Sequence, residues 1–254
     1  VLYRAAALAV GAVAVTLIAP IPLGHADPQP DRDALWHLVH EQCVPDQLAA
    51  GDPAPCVEVD LSGGEARGYA ILKDRRGARQ FLLIPTARIS GTDDPALLAP
   101  WAPNYLAQAW EARQFTEQRA GGPLPRDRIS LTVNSASSRS QDQLHIHIDC
   151  LRPDVHDALA TYAADIGPQW SPLPGPLGDH FYDAMSLSAG QFAAVNLFAL
   201  ATDGAPDQRL ALAVVGAGSD DQPRFIALRH FDDPDAGDLA GAENLQDHQS
   251  CTTG

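Results

Sequence analysis

The chain has 254 residues, 45% of them apolar, with 17 Lys and Arg against 32 Asp and Glu and a formal charge of −15. That length and composition suffice for one large core or two small ones. The acidic balance argues against nucleic acid as a partner, because phosphate backbones are held by basic surfaces.

In chain order, the first feature is a leader-like segment. Arg4 precedes an uncharged run of twenty residues, 5–24, and Gly24-His25-Ala26 is a small-x-small site of the kind a signal peptidase cuts. Twenty residues is also about the length of a membrane span. Residues 1–26 are therefore expected to be a signal peptide or a membrane anchor; Pro20 and Pro22 favour export followed by cleavage. Either way the folded part is expected outside the cytoplasm, at the cell membrane or, after cleavage, secreted. Export makes two disulfides the default for Cys43, Cys56, Cys150 and Cys251, with three pairings open. Cys43 and Cys56 flank a turn-rich loop and pair most easily, which leaves Cys150 with Cys251. In the loop-entropy model, closing a loop of about 100 residues is worth about 4.7 kcal/mol.

Residues 31–43 carry Leu35, Trp36, Val39 and His40 at helical spacing and predict a helix. Residues 68–89 predict a hairpin: two apolar runs around a charged turn containing Gly77. A second helix is predicted over 103–122, capped by Asn104 and stopped at Gly121-Gly122. Strands follow at 129–134 and 144–151, then an amphipathic helix at 152–166 and a proline-rich linker at 167–180. Beyond the linker come a helix at 188–201 and a hairpin of 208–218 with 224–231. That order parallels the first half without matching residues, a candidate degenerate repeat. The tail from Asp232 is acidic and expected to be irregular. The fold class is α+β, a mainly antiparallel sheet with helices packed on it. The domains expected are 27–166, the linker 167–180, and a C-terminal subdomain, 181–254, that packs on the first.

Charge is not spread evenly. Residues 67–152 hold 12 of the 17 basic residues and eight acids, so this segment is +4 while the rest sums to −19. A small anionic ligand would fit there; clustering on a solvated face explains the charge alone equally well.

The chemistry concentrates in "NSASSRSQDQLHIHIDC", residues 134–150. Side chains of a strand alternate between faces, so His145, His147 and Asp149 share one side while Leu144, Ile146, Ile148 and Cys150 point to the core. Three polar groups in a row against an apolar strand are costly unless they line a cleft. Two surface histidines on a half-exposed strand are the bland alternative. A second reading is a metal-dependent phosphohydrolase using His145, His147 and Asp149; binuclear zinc sites, however, follow such an Asp with another His, and Cys150 stands there instead. A third is nucleophilic catalysis on phosphorus by an imidazole.

The order N-x6-Q-x3-H-φ-H-φ, in Asn134, Gln141, His145 and His147, resembles the histidine triad superfamily of nucleotide hydrolases and transferases. More narrowly, "LWHLVHEQCVP", "PAPCVEVD", "GYAILKDRRG", "NSASSRSQDQLHIHIDCLRPDV" and the late "QDHQSC" are similar to the bacterial CDP-diacylglycerol pyrophosphatase family. The resemblance runs from about residue 35 to 251, strong to 155 and thin beyond 180. It implies a histidine-triad-like catalytic domain over 27–166 and hydrolysis of CDP-diacylglycerol, or another nucleotide diphosphate, to CMP and phosphatidate through a covalent nucleotidyl-histidine. No cofactor or metal is implied. A membrane surface would be the second partner.

On this resemblance His147 is the nucleophile, His145 supports it, and Asn134, Gln141 and Arg139 bind phosphate. Were Gln143 the first member instead of Gln141, His145 would attack. Asp149 stands where most triad proteins have a third histidine that protonates the leaving group. A departing phosphate monoester, with a second pKa of about 6, leaves without that proton; the substitution thus favours pyrophosphate substrates. Asp149 would then position water or hydrogen-bond locally. The other class left open is an exported nucleotide- or lipid-binding protein without turnover. His37, His40, His156, His180, His230 and His248 are read as structural or solvated.

Overall fold

Alternation of apolar side chains over short runs builds one antiparallel sheet of ten strands. A computed structural model describes residues 31–251; the leader expected over 1–26 lies outside the described residues. Helix α1 (Ala34–Leu38) continues through a π turn, Val39–Cys43, into α2 (Val44–Ala50), where Gly51 ends it with a left-handed residue. The helix is thus longer than the predicted 31–43. Strand β1 (Glu58–Asp60) follows, then the predicted hairpin, β2 (Tyr69–Lys73) with β3 (Phe81–Pro85).

The predicted helix of 103–122 is two, α3 (Tyr105–Glu111) and α4 (Arg113–Ala120). The Asn104 side chain accepts from the Ala107 N–H, and left-handed Gly121 closes the second helix. Strands β4 (Ile129–Val133) and β5 (Ile146–Leu151) lead to α5 (Pro153–Tyr162). The linker carries a two-residue strand, β6 (Ser171–Pro172). It is followed by β7 (Asp183–Ser188), a strand that went unpredicted because its alternation is short. The predicted helix 188–201 is broken into α6 (Ala189–Ala194) and α7 (Leu197–Ala201), because Val195 is extended and Asn196 caps the second piece. Strands β8 (Leu210–Gly218) and β9 (Pro223–Phe231) form the last hairpin. The tail is not irregular throughout: it folds into a short 3-10 turn, Ala242–Leu245, and strand β10 (Gln246–Asp247).

The strand order is β1-β2-β3-β5-β4-β8-β9-β7-β6, with β10 also pairing β5. β5 therefore lies inside the sheet. On one edge it pairs with β4, His147 opposite Thr132; on the other it pairs first with β3, His147 opposite Leu82, and then with β10, Cys150 opposite Asp247. The two disulfides join Cys43 to Cys56 and Cys150 to Cys251, as expected.

One face of the sheet is mainly apolar. Ile129, Leu131, Ile146, Ile148 and Leu212 pack there with Leu106 and Trp110 of α3 and Phe198 of α7. The other face is covered in two separate patches. Val39, Cys43, Val59, Leu72 and Leu82 form one, under α1 and α2. Val155, Leu159, Ala211, Ala213 and Leu245 form the other, under α5 and the tail. Between them runs a buried polar strip: Ser130 and Thr132 of β4, Asn134 just beyond it, and His145, His147 and Asp149. A strip of this kind is tolerated only where its groups find partners or a cleft.

Candidate active site

Over the strip lies a cavity of about 460 Å³, into which Asn134, Gln141, His145, His147 and Glu243 project. Lys73, Arg75 and Arg76 of the β2–β3 turn edge it, and Leu35, Leu38, Pro55, Leu72 and Leu82 make an apolar wall. Strand alternation accounts for the placement of the histidines: Ile146 and Ile148 are fully buried in the opposite core, so the imidazoles face the cavity. The rings meet edge to face, with centroids 4.9 Å apart.

The two imidazoles are held differently. His145 Nδ1 donates to the Gln143 carbonyl at 2.7 Å, which fixes its tautomer. His147 Nδ1 meets the side-chain amide nitrogen of Gln80 at 2.6 Å and a Glu243 carboxylate oxygen at 3.4 Å; no backbone carbonyl serves it. Nε2 of His147 is buried and has no hydrogen-bond partner among the described residues. Burial pushes both imidazoles below the ordinary histidine range, and for His147 the neighbouring His145 adds to it. Both rings are therefore neutral at pH 7, and such a ring attacks through whichever nitrogen carries no proton.

Among the residues singled out from the sequence, Asn134 and Gln141 do reach the cavity but are already engaged. Asn134 clasps Glu243: its amide donates to Oε2 at 3.2 Å and its oxygen accepts the Glu243 N–H at 3.0 Å. Gln141 accepts the Leu35 N–H at 3.0 Å and donates to the Asp31 carbonyl at 2.9 Å, which docks the start of α1 on the site. Gln143 is bound to backbone groups of Pro85, Ala87 and Ile89, away from the cavity, so Gln141 is the glutamine that belongs to the site.

Arg139 stands apart from the role expected of it. Its guanidinium is nearly buried and ion-paired to Asp93 and Asp142, and it lies so close over Gly91 that any side chain there would collide with it. Two carboxylates already neutralise it, so it fastens loops together. The cations at the cavity are Lys73, Arg75 and Arg76. No carboxylate among the described residues is within ion-pair distance of the two arginines. Their signal, the run "KDRRG", had counted only toward segment charge.

Asp149 is fully buried and does not reach the cavity. Its Oδ1 accepts the Cys150 N–H at 2.8 Å and its Oδ2 binds Nδ1 of His248 at 2.9 Å. The metal set His145/His147/Asp149 is corrected accordingly, since Asp149 has both oxygens committed elsewhere. The ligand-type atoms clustered about His147 within 4.8 Å belong to Asp74 and Glu243.

Three site residues escaped the sequence reading: Gln80, Glu243 and His248. His248, read as structural or solvated, sits between two carboxylates, with Nε2 3.6 Å from Glu243 Oε1. The hydrogen bond to Asp149 raises its pKa. Burial lifts Glu243, but His147, Gln80 and His248 outweigh it and leave the carboxyl below its usual range. The tail that carries both is pinned by β10, by the Cys150–Cys251 bond, and by Gln246, whose amide donates to the carbonyls of Ser130 and His147.

A family model described as CDP-diacylglycerol pyrophosphatase matches residues 30–254. A CDP-diacylglycerol pyrophosphatase of Yersinia pestis is 44% identical over 223 residues, 86% of this chain and 84% of its own length. The family match spans the histidine strand and the tail that meets it. The chain belongs to the CDP-diacylglycerol pyrophosphatase family.

Proposed function

We propose that the protein hydrolyses the diphosphate of CDP-diacylglycerol to CMP and phosphatidate through a nucleotidyl-His147 intermediate, in the manner of histidine triad enzymes. The observation that carries this reading is the bare Nε2 of a neutral, buried imidazole at a cavity edged by Lys73, Arg75 and Arg76. Nε2 attacks the phosphorus next to cytidine, and the bond from that phosphorus to the bridging oxygen breaks. The electron pair leaves with phosphatidate, a monoester that needs no proton to depart. Water then attacks the same phosphorus and gives up a proton to solvent, the bonding pair returns to Nε2, and CMP is released.

The cations of the β2–β3 turn hold the diphosphate, Arg75 and Arg76 with free forks suited to phosphate oxygens. His145, with Nδ1 committed to Gln143, orients its neighbour and packs its ring against it. The apolar wall of Leu35, Leu38 and Pro55 faces the glycerolipid end of the substrate. A lipid-linked substrate places the enzyme at a membrane surface. Two disulfides support a position outside the cytoplasm. Among the described residues no helix is long and apolar enough to cross a membrane. The uncharged run of residues 5–24 would serve as an anchor there.

A second reading has one observation behind it: the Asp74, His147 and Glu243 atoms within 4.8 Å of one another, a set that could hold a metal ion. Incubation with CDP-diacylglycerol labelled in the cytidine phosphate separates the two. The histidine mechanism gives CMP and phosphatidate in the presence of chelator, with label transiently on His147. Loss of turnover on metal removal, restored by a divalent ion, would replace it with the metal reading. Binding without product would reduce the protein to a carrier.

A further inference from the structure

We propose that Glu243 is the positioning residue that makes His147 a nucleophile, and that His248, seated on Asp149, works through Glu243. The inference rests on the reading of His147 as the attacking group.

Attack by Nε2 requires its lone pair, so the ring proton must sit on Nδ1 and must be accepted by something. For His145 that acceptor is a backbone carbonyl. Among the described residues, two groups lie within hydrogen-bond or ion-pair distance of Nδ1 of His147, the amide nitrogen of Gln80 and Oε1 of Glu243. The Gln80 nitrogen has hydrogens and nothing to accept with. Facing Nδ1, it favours the resting tautomer, with the proton on Nε2. Turning the amide over would bring its oxygen, unpartnered as it stands, against the Glu243 carboxylate that the nitrogen now binds at 3.1 Å. Two acceptors would then face each other. Glu243 is thus the acceptor within reach, and its carboxylate favours the proton on Nδ1.

The same carboxylate matters more after attack. With phosphorus on Nε2 and a proton on Nδ1 the ring carries a full positive charge on a largely buried side chain. Glu243, 3.4 Å from Nδ1, offsets that charge where it forms. When water displaces the ring the charge disappears again. The stabilisation is therefore greater in the transition state than in the ground state, which is what accelerates a step.

Glu243 is not free to turn away. Asn134 holds it from both its backbone and its carboxylate, and Gln80 from one oxygen. His248 approaches from the tail and is itself held by Asp149. Two carboxylates about a single imidazole favour its cationic form, and that cation keeps Glu243 charged despite burial. Asp149, standing in the strand where a third histidine would be expected, therefore acts at one remove: it recruits an imidazole from the C-terminal tail.

The experiment compares wild type with Glu243→Gln, Glu243→Asp, His248→Gln and the double variant E243Q/H248Q, in the full disulfide-bonded chain. Steady-state hydrolysis of CDP-diacylglycerol in detergent micelles gives kcat and KM, and rapid quench gives the rate at which label reaches His147. Glu243→Gln is expected to lower kcat and the labelling rate by about 10²–10³-fold with KM changed less than about threefold, as for loss of a group that acts only in the transition state. Glu243→Asp, which keeps the charge, recovers at least about tenfold of that loss. His248→Gln costs about tenfold, and the double variant is no slower than Glu243→Gln alone, because His248 acts through it. A residue with only a structural role would not give that non-additivity. Labelling of His147 at the wild-type rate in Glu243→Gln, or losses that multiply in the double variant, would overturn this inference alone. Turnover by wild type with no label ever on His147 would overturn it together with the histidine mechanism.

Discussion

Strand β5 and the C-terminal tail meet at the same ring, yet they are specified in opposite ways. In β5 the pattern of the chain does everything: each residue's face follows from its parity, and Ile146, Ile148 and Cys150 in the core force His145 and His147 to the other side. In the tail no periodicity points anywhere. Residues 242–251 reach the site because a two-residue ladder, a disulfide and the Gln246 amide hold them there. The imidazole proposed as nucleophile is thus placed by local rules, while the groups that meet it come from a segment about 100 residues away that carries no local sign of its role.

The sharpest test of the contrast lies within β5. His147→Ala is expected to lower kcat by about four orders of magnitude or more, the scale of losing a nucleophile, with little change in melting temperature. Ile148→Ala, one residue along and on the other face, should do the reverse. It is expected to cost about 2–5 kcal/mol of stability by opening the core, while the folded fraction hydrolyses substrate at near the wild-type rate. Thermal melts with activity assays below the transition check both. Inactivation by Ile148→Ala without loss of stability would break the rule of parity.

The tail is tested by removing its tether. Replacing both Cys150 and Cys251 with alanine should lower stability by up to about 4.7 kcal/mol in the loop-entropy model. It should also depress kcat at temperatures where the protein is still folded, as Glu243 and His248 lose their hold. Full activity in that variant would mean that β10 alone suffices.

A third comparison sets the arginines of the β2–β3 turn against the one in the motif loop. Arg76→Ala is expected to raise KM by about 10–100-fold, the worth of a charged hydrogen bond of about 1.5–3 kcal/mol. Arg139→Ala should leave KM near its wild-type value and lower the melting temperature, since it leaves the part-buried Asp93 without its partner and takes one of two partners from Asp142. The opposite result would restore Arg139 as the phosphate ligand.

The smallest effect concerns the docking of α1. The hydrogen-bonded pair with Arg32 holds the Asp142 carboxyl down at about 2. A depressed carboxylate contributes stability above its unfolded pKa, near 3.8, and loses it as pH falls towards 2. The pair is partly exposed, so Asp142→Asn should cost about 0.2–1 kcal/mol at neutral pH. The deficit should shrink to nothing between pH 3.8 and 2. Urea unfolding of both proteins across that range measures it; a deficit independent of pH would show that the contact is not electrostatic.

Much of this enzyme was determined by the sequence alone. The alternation of residues 144–150 put the two histidines on the side away from the core, the run from Asn134 to His147 carried the family resemblance, and the even cysteine count with the short Cys43–Cys56 loop favoured the pairing found. The hairpin and the Asn104 cap followed from equally local rules, whereas the helix expected over 103–122 is two. What escaped was everything that depends on one side chain meeting another far along the chain. Arg139 is neutralised by Asp93, while Arg75 and Arg76 of the β2–β3 turn have no carboxylate partner among the described residues. Asp149 turns to His248, and Glu243 arrives under His147. Local backbone preference and side-chain parity operate over a few residues and are written in the chain itself. Which carboxylate neutralises which cation is decided by distance in space, and only the closing of the sheet around β5 sets those distances.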